Sequence, residues 1–185
     1  IAKYNSFNLK NITKNTIKKN LSLLNLYSYE SPKKILENNI RAETKQAIST
    51  LHQVGRKNSF VYSDFPTNKD GILNFLNSFN WNKPWHAGAQ YAALCVFIST
   101  QLEGDLKYKN SQLLEEFINS KLNLDNGFYY SGNLPSSSEL INGSMKVLTG
   151  LDWLGISIHE PEKIVDYCLL QTPSSEGCDL VDIVY

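Results

Sequence analysis

After Pro32, apolar residues recur at three- and four-residue spacing along most of the chain, and the apolar-polar alternation of a half-buried strand is nearly absent. The pattern predicts helices from Pro32 to Val54, Ile72 to Phe79, Trp85 to about Leu102, Ser111 to about Leu122, Glu139 to Leu154, Pro161 to near Gln171, and one beginning at Asp179. Punctuation fits these bounds. Ser31, Thr67 or Asp70, Ser111 and Ser138 are candidate N-caps, Pro32, Pro84 and Pro161 suit first turns, and Gly55 and Gly104-Asp105 interrupt. Leu124 to Ser138 holds Asn126-Gly127, Gly132 and Pro135, which predicts an extended loop or short hairpin. Residues 1–30 form a polar segment rich in Asn, Lys and Ser, with one weakly amphipathic run from Thr13 to Leu26. Residues 31–185 then read as a single helical domain, whose last apolar run stops so abruptly that truncation at the C-terminus is expected.

Phe75-Leu76-Asn77-Ser78 and Phe117-Ile118-Asn119-Ser120 are near copies, 42 residues apart, and Tyr167 falls under the two phenylalanines in a third stretch from Ile164 to Leu169. Each stretch is followed by a loop and a more apolar segment, so the unit is a helical hairpin. The charged stretches 70–79, 110–122 and 160–171 suit an outer layer. The segments 41–54, 85–102, 139–154 and 179 onward, with small residues such as Ala87, Gly88, Gly143 and Ser144, suit an inner one. The expected fold class is all-α: repeated hairpins forming a partial α/α toroid of about three to four units. An α-solenoid or irregular bundle is the alternative.

The run Leu124-Asp125-Asn126-Gly127-Phe128-Tyr129-Tyr130, with a helix ending Leu148-Thr149-Gly150-Leu151-Asp152-Trp153-Leu154-Gly155, resembles a repeat of the terpenoid cyclase and prenyltransferase α/α toroids. The inner-outer alternation is also similar to that of the six-hairpin glycosidases and polysaccharide lyases. The resemblance implies a ring of hairpins with its site at one mouth, completed by a missing segment or another protein chain. The acid clusters of isoprenoid enzymes, D-D-x-x-D or D-x-D-D, are not in the sequence, which makes an isoprenoid activity the weakest of the toroid functions. Glu176-Gly177-Cys178-Asp179 is faintly similar to a prenyltransferase zinc region but lacks its ligand order and a downstream histidine, so no metal or other cofactor is expected.

Charge narrows the partners. With 18 basic and 18 acidic side chains the formal net charge is zero, which argues against gripping nucleic acid, and pairs such as Lys18-Lys19 and Lys33-Lys34 read as solvated helix faces. No apolar run reaches the roughly 18–20 residues a membrane span needs. Cys95, Cys168 and Cys178 are odd in number and show no C-x-x-C spacing, so a reducing, cytoplasmic setting is the simpler expectation.

In a ring of hairpins the inner-helix N-termini converge, and their unpaired N–H groups favour anions. Three groups of residues fall there. Trp81 and Trp85 flank a Pro turn as candidate sugar-stacking rings, with His86 as an acid/base candidate. Asp125, Tyr129, Tyr130, Glu139, Asn142 and Lys146 lie at or before the next inner helix, the last three at i, i+3, i+7 on one face. Asp179 and Asp182 follow, and Asp179 or Asp125 could join Glu139 as a carboxylate pair for glycosidic chemistry. Each residue also has a structural use: tryptophan pinning a loop, glutamate at a helix start, lysine in an ion pair. Two functions are thus expected from the sequence: a carbohydrate-directed toroid with a sugar or glycan ligand, or a non-catalytic helical-repeat scaffold for protein partners.

Overall fold

The computed structural model describes residues 32–172 and 178–184, and among them seven helices are present. These are α1 (Pro32–Gln53), α2 (Lys69–Asn77), α3 (Pro84–Gln101), α4 (Gly104–Asn119), α5 (Ser137–Leu154), α6 (Pro161–Leu169) and α7 (Asp179–Val184). The Thr13–Leu26 run, Ser31, Lys18-Lys19, Glu176 and the turn at 173–177 lie outside the described residues. The chain divides at Ile40 into two units, 1–40 and 41–185, and the second carries every helix from α2 onward.

Helix starts differ from expectation in detail. Asn68 caps α2, its side chain accepting from Gly71 N–H at 2.8 Å, so neither Thr67 nor Asp70 takes that role. Ser136, not Ser138, caps α5. The Gly104-Asp105 break is the start of α4 itself, seven residues before Ser111: Gly104 at φ 57 turns the chain directly from α3 into a new helix. Helix α5 closes on Gly155 in the left-handed conformation, whose N–H meets the Asp152 carbonyl at 3.0 Å. The 121–130 loop is a short hairpin with one antiparallel bridge, Leu122 to Tyr129.

The two near-copy tetrapeptides end their helices the same way. Ser78 (φ −72, ψ −13) and Ser120 (φ −68, ψ −12) both sit at the C-cap. Their hydroxyls donate to the carbonyls of Phe75 and Phe117 at 2.7 and 2.6 Å. The shared sequence thus encodes a shared stop.

Helix α3 is buried nearly all round, with every residue from Tyr91 to Ile98 inaccessible, as expected for the centre of a helical domain. Its one buried amide is satisfied: Gln90 Oε1 accepts from Arg41 Nη1 at 2.9 Å. Helix α5 is its main neighbour. A methyl group added at Gly143 would lie 2.8 Å from the Pro84 carbonyl carbon, one at Gly88 would lie 2.6 Å from the Gly143 carbonyl oxygen, and one at Gly150 would lie 2.9 Å from the Tyr91 ring. Later residues of one helix meet later residues of the other, so α3 and α5 run parallel, backbone close to backbone. Leu94, Leu114, Ile118, Val147 and Leu151 fill the core around them. Segment 41–54, expected in the inner layer, is largely exposed instead; Ile48 is its apolar anchor, against Ala93, Val96 and Phe97.

Candidate functional site

The N-termini of α3 and α5 meet. Pro84 opens α3 and Lys83 offers no side-chain cap, so the first N–H groups need another acceptor. Glu139 of α5 supplies it: Oε2 accepts from the Trp85 N–H at 3.0 Å. A carboxylate at that position also suits the positive end of the helix dipole. The preceding loops touch as well, with Ser131 N–H donating to the Trp81 carbonyl at 3.0 Å. Two of the three expected loop tips therefore gather at one place, and the third, at 173–177, lies outside the described residues.

The aromatic candidates face different ways. Trp81 is 4% exposed; its indole N–H donates to the Leu76 carbonyl at 3.0 Å and its ring packs on Phe117. Tyr129 is fully buried, its hydroxyl 3.1 Å from His159 Nδ1, and burial pushes its phenol up to about 12. Tyr130 is half-buried and its hydroxyl accepts from Asn126 Nδ2 at 3.1 Å. Trp85 is half-buried, and His86 is exposed with its ring edge-on to Phe79 at 5.6 Å.

The polar candidates are likewise engaged. Asp125 is exposed in a turn where Asn123 Oδ1 accepts its N–H at 3.0 Å. Asn142 is fully buried and donates to the Ser138 carbonyl at 2.8 Å. Lys146 pairs with Asp182 of α7 at 3.5 Å, the acid's side chain being only 6% exposed. Burial, helped by the nearby Lys146 charge, holds the Lys45 ammonium below its ordinary value. Asp179 begins α7, and its side chain is outside the described set. Glu139 and Trp85 are thus brought together, Asn142 lies one turn on, and Asp125 and His86 face solvent. Among the described residues no group of three or more His, Cys, Asp or Glu could hold a metal, and no helix is long and apolar enough to cross a membrane.

Sequence reasoning missed an open groove of about 880 Å³ along α5 and α6. Ile141, Ser144 and Leu148 form its floor side on α5, and Val165 and Leu169 its wall on α6. Its signal was present: Ile164, Val165, Cys168 and Leu169 give α6 more apolar residues than one buried face uses. Burial also raises the Cys168 thiol on that wall. The chain matches no protein-family model, no curated protein and no solved structure.

Proposed function

We propose that the chain is a non-catalytic helical-repeat scaffold that binds a protein partner, its unit being outer helix, loop and inner helix. The observation that carries this reading is the parallel, glycine-mediated seating of α3 against α5, the relation that successive inner helices of a stacked array adopt. The loop-tip residues support it. Trp81 and Tyr129 are core residues, and Glu139 holds the start of a neighbouring helix. Glycosidic chemistry asks instead for two carboxyls roughly 5–10 Å apart and open to a sugar. Closure into a toroid is a further step that this reading does not need.

The test is incubation of the purified chain with a panel of oligosaccharides and polysaccharides, with chromatographic detection of products. The scaffold reading expects no product above blank, and a lower thermal midpoint for Glu139→Gln. Turnover that disappears in Glu139→Gln or Asp125→Asn while circular dichroism stays native would overturn it.

A further inference from the structure

We propose that Lys45 of α1 and Lys146 of α5 together hold a carboxylate of an acidic segment of the partner protein. The proposal rests on the scaffold reading and names the chemistry of what the scaffold binds. Its basis is the register of three helices. From Arg41 onward α1 runs beside α3 and α5. Arg41 Nη1 donates to Gln90 Oε1 at 2.9 Å, Ile48 packs on Ala93, Val96 and Phe97, and the His52 ring stands edge-on to Trp153 at 5.8 Å. Later residues of α1 meet later residues of its neighbours, so its course is parallel to theirs. Lys45 and Lys146 each lie seven residues before the His52–Trp153 contact, about two helical turns back along both helices. The two lysines therefore stand at the same level, next to Gly88 of α3, where an added methyl would lie 3.3 Å from Lys146 Cβ.

Their charges are not balanced within this part of the chain. Lys45 is half-buried, and among the described residues no carboxylate or other acceptor pairs with its ammonium. Lys146 has Asp182, but at 3.5 Å, longer than the roughly 2.7–2.9 Å of a strong charge-assisted bond. The Lys146 side chain is 31% exposed, so the pair is open to a ligand on one side. Two like charges side by side, one of them half-buried without a counter-ion, cost stability. Burial and the Lys146 charge accordingly hold the Lys45 ammonium below its ordinary value. A carboxylate set between the two cancels the repulsion and gives Lys45 the acceptor it lacks. Basic and acidic side chains number 18 each over the whole chain, so the attraction for an acidic segment comes from this local pair and not from bulk charge.

The probe is a fluorescein-labelled polyglutamate peptide, titrated into the full chain by fluorescence anisotropy at physiological ionic strength. Expected is saturable binding, weakened at least about tenfold by Lys45→Gln and retained in Lys45→Arg, which keeps the charge. Lys109→Gln, at an exposed lysine of α4, leaves it unchanged. Lys45→Gln removes a charge without a partner, so its thermal midpoint stays at or above that of wild type, and lost binding is not lost folding. No saturable binding, or binding indifferent to Lys45→Gln, overturns the proposal. A midpoint for Lys45→Gln well below wild type overturns it in favour of a structural role for the lysine. Inorganic phosphate that raises the midpoint of wild type but not of Lys45→Gln, while the peptide does not bind, overturns it in favour of a free anion. Each of these leaves the scaffold reading intact unless glycan turnover is also found, so the two failures are told apart.

Discussion

The side of α5 that meets α3 and the side that borders α6 differ in what covers them. On the first, Gly143 and Gly150 bring helix to helix so closely that an added methyl would strike a backbone carbon at 2.8 Å or a buried ring at 2.9 Å. On the second, Ile141 and Ser144 are buried as well, but Val165 and Leu169 of the neighbouring α6 are exposed. A tightly filled interface on α5 thus lies beside a bare apolar wall on α6. Close backbone packing fixes geometry and tolerates no added atom, whereas an open apolar wall accepts nearly any substitution until something binds to it.

That contrast sets an order of effects. Gly143→Val should be the most damaging change, because its methyls meet Pro84 and Trp85 backbone that cannot step aside. A loss of at least about 3 kcal/mol is expected, read as a collapse of the urea midpoint; a midpoint near wild type would rule out the tight interface. Leu151→Ala, at a fully buried core position, should cost about 3 kcal/mol. Leu169→Ala, in the groove wall, should cost about 0.5 kcal/mol or less. Equal costs at Leu151 and Leu169 would erase the distinction between the two faces.

A smaller effect concerns pH. Burial raises the Tyr129 phenol from 10.0 to about 12, with a hydrogen bond from His159 pulling the other way. The folded state then holds this proton longer than the unfolded chain does. The stability it contributes is fully present below about pH 10 and is lost as pH rises through about 12. Tyr129→Phe should cost about 1 kcal/mol at neutral pH and show a shallower decline in that alkaline window. The slope should not vanish, because the buried Tyr91 phenol is pushed up too. Denaturation midpoints between pH 9 and 12 read this directly, and an unchanged slope would mean that Tyr129 is not held neutral by its surroundings.

Much of the helix order was legible in the sequence because periodicity, proline and glycine are local signals. The Phe-x-Asn-Ser copies even encoded a shared C-cap, through one serine hydroxyl each. The site was less legible. Trp81 is a candidate binding ring by its position, and the structure sets its indole N–H on the Leu76 carbonyl; Glu139 is a candidate acid by its position, and the structure gives it an acceptor role toward α3. Both facts depend on neighbours 5 and 54 residues away that spacing cannot place. The groove was hidden for the opposite reason. Apolar residues on α6 read as ordinary core, and only the arrangement of α5, α6 and α7 shows that nothing among the described residues fills the space beside them.

The parallel course of α3 and α5 underlies the proposed scaffold reading. Its most direct test is a pair of spin-label distances in a chain with Cys168 and Cys178 replaced by serine, the remaining Cys95 being buried. Labels at the exposed positions Lys83 and Ser136 mark the two helix starts, and Lys83 with Asp152 marks a start and an end. Because Pro84 lies beside Gly143, several residues into α5, parallel helices predict that the second distance exceeds the first by on the order of 5–10 Å. A Lys83–Asp152 distance equal to or shorter than Lys83–Ser136 would contradict a parallel course.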